Sequence, residues 1–357
     1  MSDYYISKVS ANDKRAHGLI DQLLSEEGIR RDGNLDYTCA MYDDDMNVIA
    51  TGSCFGNTLR CLAVSSSHQG EGLMNEIVTH LIEFQCSRGN LHLFLYTKCN
   101  SAKFFSSLGF YEIARIKDNV VFMENRRNGF PDYLAKLQKE TESSSATAVI
   151  EPPAKVAAIV MNANPFTLGH LYLVEKAGAE NDLVHLFIVS EDSSLVPFAV
   201  RKKLIREGTA HLSNICYHDS GPYIISNATF PSYFQKDENA VIEGHARLDL
   251  TIFVQIAKAL HINNRYVGEE PNSIVTGIYN QIMAEELPAH EIACTIVPRK
   301  ESGDQVISAS TVRTALKNQD LQTLQALVPE STYRYFCSDE AAPVVARIQA
   351  EENVVHY

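Results

Sequence analysis

Thr167, Gly169 and His170 lie within four residues of one another, after the apolar run Lys155-Val-Ala-Ala-Ile-Val160 and the turn-forming Asn162-Ala-Asn164-Pro-Phe166. The segment that follows repeats apolar residues at Leu171, Val174 and Ala177, the spacing of a helix with one buried face. A strand feeding a Pro/Gly turn and then a helix gathers free backbone N–H groups and a positive helix end at one spot, which suits a polyphosphate. ATP is the expected ligand. Far downstream, Ser308, Ser310 and Arg313 offer hydroxyls at a second helix start and a guanidinium one turn further on. These would hold the β- and γ-phosphates through N–H groups and a charge-assisted fork. Arg299 and Lys300 add cations just before that segment.

Thr167-Leu-Gly-His170 resembles the T/HxGH signature of the nucleotidylyltransferase superfamily, and Ile307-Ser308-Ala-Ser310-Thr-Val-Arg313 resembles its closing ISxTxxR motif, with Ser310 replacing the commoner Thr. By position, the resemblance implies that His170 steadies charge developing on the α-phosphate while Thr167 bonds phosphate oxygens. Such chemistry needs positioning and donors more than covalent help. Asn164, Phe166, Gly169, Ser308, Ser310 and Arg313 are expected among the ATP contacts, with Mg²⁺ arriving on the nucleotide. Gly268 and Glu270, after the β-rich Arg265-Tyr-Val, lie where such folds read a base or ribose, although a plain strand-to-helix turn reads equally well.

A chain of 357 residues, 45% of them hydrophobic, is long enough for two cores. Ser-rich and Pro-rich composition from Thr141 to Pro153 reads as a linker. The expected division is residues 1–140, a linker over 141–154, and a second domain over 155–357. A net charge of −13 argues against nucleic acid as partner, while a local cluster of cations can still hold one ATP. Eight scattered cysteines without a CxxC pair read as small buried hydrophobes of a reduced chain. Neither a leader after Met1 nor an apolar run of bilayer-crossing length is present, so a cytoplasmic chain with no membrane partner is expected.

In the first domain, Tyr37–Tyr42, Val48–Phe55 and Thr58–Val64 read as antiparallel strands. Gln69-Gly70-Glu-Gly72 then opens a helix carrying Leu73, Ile77, Leu81 and Phe84. This layout resembles motif A of the GNAT acetyltransferases, whose glycine turn receives the pyrophosphate of acyl-CoA on backbone amides. Asn100 and the aromatic, Gly109-Phe110 ending extend the likeness. Met74 departs from the family's small residue, and Phe105 stands where a Tyr often protonates the leaving thiolate, which a phenyl ring cannot do. The domain is expected to bind a pantetheine arm through Gln69, Gly70, Gly72 and Asn100 without transferring acetyl itself; a structural remnant is the alternative.

The pairing of these two domains, with segments such as Arg265-Tyr-Val-Gly-Glu-Glu270 and Thr276-Gly-Ile-Tyr-Asn280, resembles the citrate lyase ligase family. The resemblance implies a doubly wound, Rossmann-like α/β domain preceded by an α+β GNAT-like domain. It also implies an enzyme that uses ATP and acetate to acetylate the prosthetic-group thiol of the citrate lyase acyl carrier subunit, through an acetyl-adenylate, releasing AMP and diphosphate. A nucleotidylyltransferase with a phosphopantetheine-like or mononucleotide acceptor, and a nucleotide-sensing regulator without turnover, remain as rivals. Lys155 reads as a linker charge, and Arg201, Lys202 and Lys203 as a solvated helix face. His185, His211, His218, His245 and His261 show no metal-ligand spacing, so no structural metal is expected.

Overall fold

A computed structural model describes residues 4–117, 120–147, 154–230, 239–270, 273–299, 301–302 and 305–351. The chain forms two compact units, Met1–Gly129 and Phe130–Tyr357. The division falls after the first residue of the helix Gly129–Glu142, whereas the linker expected from the sequence follows that helix; 148–153 of that expected linker lie outside the described residues.

The first unit is α+β. Its strands are β1 (Tyr5–Lys8), β2 (Tyr37–Tyr42), β3 (Val48–Phe55), β4 (Thr58–Val64), β5 (Phe94–Lys98), β6 (Tyr111–Ile116) and β7 (Val120–Glu124). They form one sheet in the order β1-β2-β3-β4-β5-β7-β6. Strands β2 and β3 are buried on both faces because α1 (Lys14–Glu26) covers one and α2 (Leu73–Ser87) the other. Alternation sorts the side chains: Cys39, Met41 and Leu59 pack with Ile77 and Leu81, while Ala40, Tyr42 and Ala63 pack with Ile20 and Leu24. Gly52 is required there, since a Cβ would lie 2.6 Å from Ile77 Cγ2 and 2.8 Å from Leu81 Cδ1. Among the described residues of this unit only β4 and β5 run parallel, registering at Thr58↔Phe94 and Leu59↔Leu95 before they part.

The second unit is the doubly wound domain expected. Its sheet runs β10 (Ile215–Asp219), β9 (Leu183–Ile188), β8 (Val156–Met161), β11 (Asn264–Gly268), β12 (Ala293–Val297), all parallel. The near-continuous apolar sequences of β8 and β9 follow from burial on both faces. The helices are α4 (Gly129–Glu142), α5 (Leu168–Glu180), α6 (Phe198–Gly208), α7 (Asn239–Ala259), α8 (Ile274–Glu286) and α9 (Ala309–Lys317), with shorter ones following. Helix α7 begins at Asn239, and Ile242 and Ala246 continue the buried face of Leu250 and Phe253. Strand order reverses between β8 and β11, and ligands of such sheets bind outside the carboxyl ends at that point. Among the described residues, no helix is long and apolar enough to cross a membrane.

Candidate functional site

The carboxyl end of β8 opens into the Asn162–Thr167 turn. Ala163 adopts φ +50°, uncommon for a residue with a Cβ, and the Asn164–Pro165 peptide is cis. Asn164 Oδ1 accepts from Val196 N at 2.9 Å, and Asn162 and Ser194 exchange side-chain hydrogen bonds at 2.9 and 3.1 Å. Phe166, expected among the nucleotide contacts, is fully buried in the core, its ring 5.9 Å from that of His170. It seats the turn from below.

Thr167 and His170 form a reciprocal cap on α5. The Thr167 hydroxyl oxygen accepts from His170 N at 3.3 Å, and Thr167 N donates to His170 Nδ1 at 3.1 Å. Thr167 Oγ1 also lies 2.9 Å from Nδ1. A backbone N–H can only donate, so Nδ1 is the acceptor and the ring proton sits on Nε2. Burial, and secondarily the Arg299 charge, push the His170 pKa down to about 4. At neutral pH the ring is therefore uncharged and offers Nε2–H as a fixed donor.

The closing motif comes back to this turn. Ser308 caps α9 by accepting from Thr311 N at 3.1 Å, and its hydroxyl meets those of Ser310 at 3.0 Å and Thr311 at 2.8 Å. Arg313, 5% exposed, donates from Nη1 to the Asn164 carbonyl oxygen at 2.6 Å. An ideal Cβ on Gly169 would lie 3.5 Å from the Ile307 carbonyl oxygen, so the first turn of α5 abuts the residue preceding Ser308. Two helix N-termini and a hydroxyl cluster thus share one face of the crevice.

The opposite rim comes from β11 and β12. Asn280 donates to the Gly268 carbonyl at 2.9 Å, and Arg299 pairs with the Glu270 carboxylate while donating from Nε to the Glu269 carbonyl at 3.0 Å. Glu270 is therefore engaged by Arg299, the cation that bears on His170. Lys300 lies outside the described residues. Lys155 sits exposed at the start of β8, at the far end of the sheet from the turn.

Arg201 departs from the solvated face expected for it. It is fully buried and donates to the carbonyls of Val196 (2.9 Å), Asn162 (2.9 Å), Val189 (2.7 Å) and Glu191 (2.6 Å). One guanidinium thus ties the ends of β8 and β9 to the loop before α6. The signal was its spacing: Leu204 and Ile205 follow at i+3 and i+4 on the same buried face. Lys202 and Lys203 are the partly exposed surface cations expected, paired with Asp219 at 2.7 Å and Glu340 at 2.8 Å.

In the first unit, Gln69, Gly70, Gly72 and Asn100 are all exposed. Gly70 and Gly72 take φ +91° and +86°, and Gly72 begins α2 with no side-chain cap. Phe105 is 4% exposed and packs in the core.

The citrate lyase ligase C-terminal domain model matches residues 156–336. A citrate (pro-3S)-lyase ligase of Haemophilus influenzae is 37% identical over 334 residues, covering 92% of this chain and 97% of its own. That of Klebsiella pneumoniae is 37% identical over 331 residues, covering 90% and 93%. Among solved structures, an acyl-CoA N-acyltransferase from Pseudomonas aeruginosa aligns with 35% of this chain and 100% of its own at 13% identity and TM-score 0.30. A GNAT family N-acetyltransferase from Escherichia coli in complex with CoA aligns with 36% and 84% at 19% identity and TM-score 0.28. With a match to half its length by the domain model and to nearly all of it by whole relatives, the chain belongs to the citrate lyase ligase family.

Proposed function

We propose that this enzyme activates citrate lyase by ATP-dependent acetylation of the prosthetic-group thiol on its acyl carrier subunit. Acetate attacks the α-phosphorus of ATP, forming acetyl-adenylate and expelling diphosphate. The carrier thiolate then attacks the acetyl carbonyl, and AMP leaves, having been made a good leaving group by the first step. The observation that carries the reading is the convergence of Thr167–His170 with Ser308–Arg313, through the Arg313 to Asn164 bond and the contact of Gly169 with Ile307.

In this reading His170 Nε2–H donates to the α-phosphate as negative charge builds there, and its neutrality lets it donate without ion-pairing tightly to the ground state. The N–H groups opening α5 and α9, with the Ser308 and Ser310 hydroxyls, receive the β- and γ-phosphates. Mg²⁺ arrives bound to ATP as part of the substrate. Gly268 and Glu270 line the nucleoside side. Arg313 acts as a positioning residue, its guanidinium holding the Asn164 carbonyl.

The first unit takes the pantetheine arm at Gln69–Gly72 and Asn100. The exposed, uncapped start of α2 and the parting of β4 from β5 support this, and the buried phenyl ring of Phe105 offers no proton to a thiolate. Incubation with ATP, Mg²⁺, acetate and thiol-form citrate lyase should yield AMP and acetyl-thioester in equal amounts. AMP formed without thioester, or a dinucleotide product, would overturn the assignment.

A further inference from the structure

His185 lies on β9 and Cys216 directly beside it on β10, the two being register partners; His218, two residues further along β10, shares their face. Their ligand atoms all lie within 4.8 Å of one another, and the three residues are 0%, 2% and 1% exposed. The surrounding groups are arranged as around a bound ion. His218 Nδ1 meets the Glu140 carboxylate at 2.7 Å, the carboxylate–histidine pairing that orients metal-bound imidazoles. Without an ion Cys216 is a thiol, its S–H directed at the Glu140 carbonyl oxygen 4.0 Å away.

Hydrogen bonds assign the ring protons of the empty cluster. Glu140 accepts the His218 Nδ1 proton, so His218 Nε2 is a lone pair, and His185 Nδ1, 2.9 Å away, must supply the proton between the rings. His185 Nε2 is then a bare lone pair with no partner among the described residues.

We propose that His185, Cys216 and His218 bind a divalent, thiophilic metal ion of the zinc class beneath α4. Two imidazoles and one thiolate suit a borderline-soft ion and exclude hard, oxygen-seeking ions such as Mg²⁺. On binding, the Cys216 S–H proton leaves for solvent and a sulfur–metal bond forms. The His185 proton moves from Nδ1 to Nε2, freeing Nδ1 as a ligand. Thiolate and Glu140 carboxylate together balance the ion's two positive charges, so the buried cluster becomes neutral overall. The ion would fasten the edge strand β10 to β9 and to α4.

The test uses the full chain, stripped by chelator and titrated with Co²⁺ as a spectroscopic substitute. The expected result is a thiolate-to-cobalt charge-transfer band saturating at one ion per chain, abolished by one equivalent of Zn²⁺. Cys86→Ser, which alters an exposed cysteine, should keep the band, whereas Cys216→Ser should lose it. X-ray absorption of the zinc-loaded wild type should show a mixed nitrogen and sulfur shell, a reading that requires no variant. Absence of the band in the wild type, its survival in Cys216→Ser, or a shell of oxygen alone would overturn the proposal.

Discussion

The Arg313 guanidinium donates to the Asn164 carbonyl oxygen at 2.6 Å, joining residues 149 positions apart and making the closing motif a structural support of the opening one. Arg313→Lys shortens the reach and removes the planar fork. Loss of a charge-assisted hydrogen bond of about 1.5–3 kcal/mol corresponds to roughly a 10- to 100-fold fall in acetate-dependent exchange of labelled pyrophosphate into ATP. Exchange at the wild-type rate would remove Arg313 from the site.

His170→Ala deletes both a helix cap and the proposed Nε2–H donor. Stability should drop by about 1 kcal/mol from the cap, while losing a transition-state donor should slow exchange by roughly 10²- to 10³-fold. Thermal melting read beside exchange separates the two effects. Because the pKa is pushed down to about 4, wild-type exchange should show no inflection from this histidine between pH 6 and 8.

Gly169→Ala separates fold from ligand. The added methyl would meet Ile307 O and Thr167 Oγ1 at 3.5 Å, an ordinary contact. Stability should be unchanged or raised by up to about 1 kcal/mol, as Gly to Ala within a helix allows. A triphosphate lying on the first-turn amides would instead meet the methyl, raising the KM for ATP by about tenfold, or 1.4 kcal/mol. An unaltered KM would move the phosphates elsewhere.

Arg201→Met leaves four carbonyls without their shared donor in the core. At about 1–3 kcal/mol for each buried group left unsatisfied, the second unit should lose several kcal/mol. Urea unfolding would read this as a midpoint far below that of wild type. A midpoint near wild type would show that water replaces the guanidinium.

Burial lowers His185 to about 3 and His170 to about 4, and lowers His218 despite the opposing Glu140 carboxylate. Their folded pKa values lie below the unfolded value, so as pH falls below about 6.5 the unfolded chain binds more protons. Stability is full above that point and declines toward pH 4, by about 1.4 kcal/mol per pH unit for each of His170 and His185, with His218 adding in the same direction. Urea midpoints of the metal-stripped chain at pH 7.5 and 5 should differ in that direction. A midpoint that rises on acidification would contradict the burial argument.

The two motifs were legible because their chemistry is concentrated in short contiguous runs, and the central strands because burial on both faces writes itself as unbroken hydrophobicity. What escaped depended on neighbours far along the chain. Phe166 stands inside a motif yet faces the core, and Arg201 heads an Arg-Lys-Lys run while its companions alone reach the surface. His185 and Cys216 are 31 positions apart and meet only through strand register, which no spacing rule reveals. The Glu270–Arg299 pair likewise required β11 and β12 to lie side by side.

Strands β8 and β11 register only at Asn264↔Ala157 and Arg265↔Ala158, both near their beginnings. The sheet therefore has a seam that widens toward the turn, with Thr167 and His170 on one bank and Gly268 and Glu270 on the other. The chain crosses this seam again after β12, and Arg313 fastens the return. Widening the seam thus needs no ladder bonds broken beyond Ala158, and the Asn164 carbonyl holds the returning α9 on the β8 bank.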